Sequence, residues 1–213
     1  MGSNYWGELG DGTRNNRNQP VQIESSGVVS IATGHWGSYY LKSNGSLWST
    51  GYNVHGQLGI GTTTGSGDEF SENRDRKVPT VVVSSGVVNL AASAYSTFFM
   101  KDDGSLWGMG TGSPLGNAGG SPFPIKLHDS GVVSASIGRY HSSMITSDGS
   151  MWAMGSHGLG RWGYTNYFMK VDLFPVIKTD SNTRVAAHAV MVPAKLPPQN
   201  LELAGGAITE NAS

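Results

Sequence analysis

Three copies of one pattern constrain this 213-residue chain more than any other feature. Ser-Gly-Val-Val begins at Ser26, Ser85 and Ser130, and each copy is followed by Gly-Ser-[Leu/Met]-Trp. The glycine-to-glycine distance is 18 residues every time: Gly27 to Gly45, Gly86 to Gly104 and Gly131 to Gly149. A proline stands seven residues before each first glycine, at Pro20, Pro79 and Pro124. A fixed inner stretch joined by links of variable length defines a repeat architecture, in which each unit buries its apolar surface against its neighbours.

The second copy shows what one unit contains. Thr80-Val-Val-Val is short and β-branched and reads as a strand. Ser85-Gly86 turns the chain, and Val87-Val-Asn-Leu-Ala-Ala is a second strand. Thr97-Phe-Phe-Met-Lys is a third, and Leu106-Trp-Gly-Met a fourth. Between the last two, Asp103-Gly104 suits a two-residue hairpin turn, with Asn44-Gly45 and Asp148-Gly149 in the same place elsewhere. Helical periodicity is nowhere sustained. Four short strands per unit of about 45 to 60 residues describe a propeller blade. The expected fold class is all-β: a partial, open β-propeller of about three four-stranded blades plus incomplete end blades.

Composition narrows the function. The formal net charge is −1, and Lys and Arg are scattered rather than clustered. A nucleic-acid binder needs a concentrated basic surface, so no nucleic-acid partner is expected. The 31 glycines recur at repeat positions, which fits many tight turns. There are no cysteines, which removes disulfides, thiol catalysis and zinc-thiolate sites. No apolar run of about 18 residues exists, so no helical membrane span is expected.

The link after each hairpin also repeats. Gly51-Tyr-Asn-Val-His-Gly-Gln-Leu-Gly59 matches Gly2-Ser-Asn-Tyr-Trp-Gly-Glu-Leu-Gly10 position by position. With Gly138-Arg-Tyr-His-Ser-Ser-Met-Ile-Thr-Ser-Asp-Gly-Ser-Met-Trp152, these segments resemble the regulator of chromosome condensation repeat family. The family pattern runs from an Ala-Gly-x-x-His segment through Asp-Gly and a Trp-containing strand to Gly-x-Asn-x-x-Gly-Gln-Leu-Gly. The resemblance covers about residues 1–190 and implies a propeller, in that family usually of seven blades. Repeat cores are read at 20–62, 79–116 and 124–163, with a partial unit at 175–190.

Met1-Gly2 aligns with Met109-Gly110 and Met154-Gly155 at the close of the Trp strand, so the sequence opens inside a repeat. Residues 191–199 read as a Pro-rich linker. The tail, 200–213, with Asn200-Leu-Glu-Leu and Ile208-Thr-Glu-Asn-Ala, resembles the first strand of a cadherin-like domain. That resemblance implies a calcium role for Glu210 in a longer chain; no metal is expected here. Together these features lead to the expectation of a fragment of a larger, exported or cell-surface protein of bacterial type.

Motif searches find little chemistry. His-Glu-x-x-His, Gly-x-x-x-x-Gly-Lys-[Ser/Thr] and Gly-x-Ser-x-Gly are absent from the sequence. Gly158-Leu-Gly-Arg-Trp-Gly163 matches a dinucleotide fingerprint only literally, because no helix is expected after it. The six histidines form no close pair at metal-ligand spacing. His141, at the family's repeat histidine, is expected to fix its blade through a hydrogen bond. Trp48, Trp107 and Trp152 are expected to pack between blades. No catalytic residue, cofactor or small-molecule substrate is expected, and the chain is read as a non-enzyme.

Two features vary against this fixed background. Trp36, Tyr95 and Tyr140 occupy equivalent loop positions before the third strand of each unit, with His35, Ala94 and Arg139 beside them. Large aromatics with an Arg neighbour are enriched at protein interfaces. Trp36, Tyr95, Tyr140, Arg139 and His35 are therefore the candidate partner-binding residues, against the alternative that each ring caps its own blade. The segment 65–77 carries seven charged residues, four acidic and three basic, and reads as a solvated insertion or a partner-contacting loop. The expected function is a non-catalytic protein-interaction scaffold. The alternatives are an exchange factor-like regulator of a small GTPase, implied by the resemblance, and a propeller-type inhibitor of a secreted enzyme.

Overall fold

The computed structural model describes residues 1–62, 75–115, 120–155 and 165–170. These residues are all-β, with one 3₁₀ turn at Ser113–Leu115 and no α-helix among them. They belong to one compact unit, Met1–Leu173. Most of the charged segment (63–74), the glycines at 158–163, the partial unit at 175–190, the linker at 191–199 and the tail at 200–213 lie outside the described residues.

Twelve strands form three antiparallel sheets of four. Blade 1 contains β1 (Val28–Thr33), β2 (Gly37–Lys42), β3 (Leu47–Tyr52) and β4 (Asp75–Val83). Blade 2 contains β5 (Val87–Ala92), β6 (Ser96–Lys101), β7 (Leu106–Gly110) and β8 (Ser121–His128). Blade 3 contains β9 (Val132–Ile137), β10 (His141–Thr146), β11 (Met151–Gly155) and β12 (Thr165–Lys170). Each sheet is a simple meander in chain order.

The sheets are one strand out of phase with the units read from sequence. The proline-containing strand of the second unit, β4, closes blade 1 by pairing with β3, with Thr80 opposite Ser49. Likewise β8, which carries Pro124, closes blade 2 against β7. Adjacent strands joined by one link satisfy each other's backbone groups antiparallel. The Ser-Gly turn then carries the chain to the next blade, so the core at 79–116 spans two sheets.

The 18-residue spacing has a backbone cause. The Gly27 carbonyl accepts the Ser43 N–H at 2.8 Å, Gly86 accepts Asp102 at 2.9 Å, and Gly131 accepts Ser147 at 2.7 Å. Each Ser-Gly turn is thereby locked to the β2-type hairpin of its own blade. The hairpin glycine in turn reaches forward. Val87 N–H donates to the Gly45 carbonyl and Val132 N–H to the Gly104 carbonyl, both at 3.0 Å. A Cβ on Gly45 would stand 2.6 Å from Gly86 N, and one on Gly104 2.8 Å from Gly131 N.

The hairpin turn differs from the expected two-residue Asn-Gly form. Gly45 N–H donates to the Lys42 carbonyl at 2.9 Å, which makes Ser43 and Asn44 the central residues and Gly45 the fourth, at φ 78°. This is a three-residue loop, Ser43 to Gly45, that ends on a left-handed glycine, the next commonest kind of hairpin loop. The Asx residue serves a different purpose. Asn44 Oδ1 accepts from Ser46 N–H and Ser46 Oγ–H, and Ser46 Oγ accepts the Trp48 indole N–H at 2.9 Å. Asp103, Ser105 and Trp107 repeat the relay.

The Val-Val doublet is explained by a bulge. Register shifts fall between Val28 and Ser30 and between Val87 and Asn89, and a further shift in blade 3 skips Val133. The first valine of blades 2 and 3 is buried, whereas Val29, Val88 and Val133 are exposed.

Two apolar clusters lie between successive blades. Tyr39, Leu41 and Leu47 of blade 1 pack with Val87, Leu90 and Phe99 of blade 2. Phe98, Met100 and Leu106 of blade 2 pack with Val132, Met144 and Met154 of blade 3. Consecutive residues Phe98 and Phe99 thus point into different clusters, as strand alternation requires, and each contributes about 1.5–3 kcal/mol of burial. Trp107 and Trp152 sit half-buried at the edges of these clusters. Trp48 instead stacks parallel to Tyr40 at 6.0 Å with Lys42 Nζ 4.8 Å above it.

Candidate interaction rim

The aromatic positions are set by a repeated hairpin. Gly34 N–H donates to the Gly37 carbonyl, Ser93 to Ser96, and Gly138 to His141, all at 2.8 Å. His35-Trp36, Ala94-Tyr95 and Arg139-Tyr140 are therefore the central pairs of three equivalent turns. The Trp36 carbonyl accepts Tyr52 N–H at 2.7 Å, and the Tyr95 carbonyl accepts Thr111 N–H at 3.0 Å. This close approach requires glycine at or next to the end of each Trp strand. A Cβ at Gly51, Gly110 or Gly155 would stand 2.1–2.4 Å from the carbonyl oxygen of Trp36, Tyr95 or Tyr140.

The side chains of blades 1 and 2 meet. The Trp36 and Tyr95 rings are 5.9 Å apart across the blade boundary, and His35 stacks on Trp36 at 4.0 Å. His35 also lies 6.4 Å from Tyr95. Trp36 and His35 thus meet the next blade at Tyr95, and Trp36 also packs on Tyr52 of its own blade. Tyr140 stands apart: it is exposed, with the Arg139 guanidinium 5.1 Å from its ring centre.

Four further rings belong to this rim. Tyr52 contacts Trp36 edge-on at 5.1 Å, and His55 contacts Tyr95 at 4.8 Å. Tyr52 and His55 are 6.3 Å apart, so Trp36, Tyr52, His55 and Tyr95 close a circuit of four rings. Trp6 adds to Tyr52 at 4.8 Å and Tyr5 to Trp6 at 4.7 Å. The sequence held one signal for them: Trp6 and His55 occupy the same position in the repeated link. Burial pushes the His55 imidazole below its usual pKa, which favours the neutral ring.

The links hold these rings by buried asparagines. Asn53 Nδ2 donates to the Thr62 carbonyl, and its Oδ1 accepts Leu58 N–H at 3.0 Å. Asn4 accepts Leu9 N–H and donates to Asp11, Thr13 and Asn15. Gln57 Oε1 accepts the His55 N–H, and the Gln57 carbonyl accepts the Tyr39 hydroxyl across its own blade.

Charge at the rim is mixed. Tyr52 pairs in register with Asp75, whose buried carboxylate is gripped by Arg14 through Nε and Nη2 at 3.1 and 2.7 Å. Of the charged segment, Asp75, Arg76 and Lys77 are described, and they form the start of β4. Among the described residues no three His, Asp or Glu side chains group as metal ligands would, and no helix is long and apolar enough to cross a membrane. The His141 side chain departs from expectation. It is exposed, and the hydrogen bond that fixes this turn is made by the His141 backbone carbonyl.

Residues 1–41 and 44–100 match the Regulator of chromosome condensation (RCC1) repeat, and 28–57 match a second model of that repeat. Solved structures agree in fold. A crystal structure of human WBSCR16 is 21% identical, with a TM-score of 0.64, over 80% of this chain and 46% of that one. Kap60 bound to yeast RCC1 (Prp20) gives 22% identity and a TM-score of 0.55 over 68% of this chain and 37% of that one. Prp20p from Saccharomyces cerevisiae, in a study of its binding to Gsp1p and histones, gives 21% and 0.55 over 68% and 38%. The chain thus spans less than half the length of each of these three solved chains.

Proposed function

We propose that this propeller is a protein-interaction scaffold that engages its partner through the aromatic rim. The supporting observation is the Trp36–Tyr95 contact across the blade boundary, with the exposed His35 stacked upon it. Hydrogen-bonded turns fix the backbone beneath these rings, and contacts between the rings restrict their side chains, which lowers the entropic cost of binding. Aromatic residues so placed supply large contact area. Tyr140 and Arg139 extend the rim onto blade 3 as a separate, solvated contact point. The RCC1 repeat and the partners named for Prp20 agree with an interaction role, by analogy of fold.

Replacing Trp36, Tyr95 and Tyr140 together by alanine tests the proposal. Partner capture is expected to vanish while the β-sheet circular dichroism persists. Loss of both together assigns the rings to packing instead. A nucleotide-release assay on a small GTPase separates an exchange-factor form of this role from scaffolding.

A further inference from the structure

Asn44-Gly45 is the one Asn-Gly step in the sequence; every other asparagine is followed by a residue with a side chain. The same place in blades 2 and 3 holds Asp103-Gly104 and Asp148-Gly149. Asn44 is exposed at the tip of its hairpin, with Ser46 buried beneath it. Asn44 Oδ1 accepts from Ser46 N–H at 3.0 Å and from Ser46 Oγ–H at 2.7 Å. Two donors on one amide oxygen draw charge from Cγ and stabilise the oxyanion that forms when Cγ is attacked. Among the described residues no acceptor holds Asn44 Nδ2, whereas Asn4 and Asn53 have theirs hydrogen-bonded within the links.

We infer that Asn44 is a site of spontaneous covalent modification, where attack by the Gly45 backbone nitrogen converts the side-chain amide to a carboxylate. The Gly45 N–Cγ bond forms and the Cγ–Nδ2 bond breaks. Gly45 N gives up its proton to solvent, and the departing NH2 group takes one up to leave as ammonia. Water then opens the five-membered imide. Addition at Cγ gives aspartate; addition at the Asn44 backbone carbonyl gives isoaspartate, whose extra methylene enters the main chain. No electrons are exchanged, and water is the only co-reactant.

The fold sets both rate and product. Gly45 has no side chain to obstruct ring closure. Its N–H, however, is bound to the Lys42 carbonyl at 2.9 Å, and its carbonyl accepts Val87 N–H at 3.0 Å. The nitrogen turns toward Cγ only when it releases Lys42, so the reaction runs through transiently opened hairpins. Aspartate refits the closed hairpin, because Asp103 and Asp148 accept the same Ser N–H at 2.9 and 3.0 Å, and the same hydroxyl. Isoaspartate lengthens the loop and breaks the Gly45–Lys42 bond. The hairpin lies at the far end of β2 and β3 from the aromatic rim, so the outcome leaves that proposal untouched.

Peptide mass mapping of the 213-residue chain, held at mildly alkaline pH either folded or in urea, tests the inference. The mass change from amide to acid is expected at Asn44 before any other asparagine. It is expected about tenfold or more slower in the folded chain, where hairpin opening adds to the barrier. Asn44→Asp is expected to keep the wild-type melting temperature, and the isolated isoaspartate form to melt lower. Equal rates in the two states overturn the inference. So does a folded chain that stays unconverted over many times the period in which the unfolded chain converts, or conversion that falls first on another asparagine. An Asn44→Asp variant that melts as low as the isoaspartate form overturns the assignment of the product.

Discussion

The carbonyl of Gly45 accepts a 3.0 Å hydrogen bond from the N–H of Val87, tying the hairpin of one blade to the first residue of the next. Gly104 and Val132 make the same bond at the following boundary. Blade order is thus written into the backbone, and the side-chain clusters build outward from it.

Gly45→Ala and Gly149→Ala isolate this contact. Both glycines have the same left-handed backbone, φ 78° and 79°. Among the described residues nothing lies within 4 Å of a Cβ on Gly149, so Gly149→Ala is expected to cost the conformational penalty, about 1–2 kcal/mol. Gly45→Ala adds a Cβ 2.6 Å from Gly86 N, so backbone must shift and the loss rises to roughly 3 kcal/mol or more. Urea unfolding of the two variants measures the difference; equal losses contradict the contact's role.

Asn53→Leu tests the link that carries His55. The substitution strands the Leu58 N–H and the Thr62 carbonyl, both of which Asn53 now satisfies. Each buried orphan costs about 1–3 kcal/mol. Asn53→Asp keeps the acceptor, but at neutral pH it buries a carboxylate with one oxygen against the Thr62 carbonyl, so its loss is at least as large. Thermal melts of both variants check the order.

Acid stability follows from the turn carboxylates. Hydrogen bonds from Thr146 and Ser150 lower Asp148 from 3.8 to about 2, and those from Ser105 lower Asp103. Asp11 is lowered by Thr13, Arg17 and Asn4 despite an opposing desolvation, and Glu24 chiefly by Tyr40. In each case the charged form is favoured on folding, so the unfolded chain takes up protons first as pH falls. The contribution is complete above the ordinary carboxylate range and is lost as pH drops through it toward 2. Asp103→Asn and Asp148→Asn copy Asn44, which fills this place in blade 1. They are expected to flatten the decline of urea midpoint between pH 4.5 and 2 while leaving neutral stability near wild type.

His55 gives a separate transition. Its folded pKa lies below 6.5 because burial disfavours the charged ring. The unfolded chain binds the proton first, so stability is full above 6.5 and falls as pH drops through the folded value. His55→Phe keeps a ring against Tyr95 and removes that step. A melting temperature measured from pH 7.5 to 5 shows it; an unchanged slope in the variant counts against the assignment.

Much of the fold was legible because the repeat fixes strand positions: Val28–Thr33 and Val87–Ala92 follow their Ser-Gly turns as read. Sheet membership was not legible. Proline marks the start of a sequence unit, but the strand carrying Pro79 pairs backward with β3, and pairing leaves no trace in composition. The turn was misread because Asn-Gly suits two hairpin loops that differ only in which residue takes positive φ. At the rim, Trp36 and Tyr95 stood out as a column of rings at one repeat position. Tyr52, His55 and Trp6 were less legible: Trp6 and His55 share a position in the repeated link, but their contacts with Tyr52 and Tyr95 cross from one unit to the next, a relation that repeat alignment does not contain.

Photo-crosslinking measures the central claim most directly. A benzoylphenylalanine at position 36 lies on the aromatic rim, and one at position 44 lies on a hairpin at the other end of the β2–β3 pair. Each variant is irradiated in an extract that contains the partner. The rim account predicts a discrete covalent adduct from position 36 and none from 44, with the adduct lost when Tyr95 and Tyr140 are alanine. An adduct from position 44 alone, or one from 36 that survives those substitutions, contradicts it.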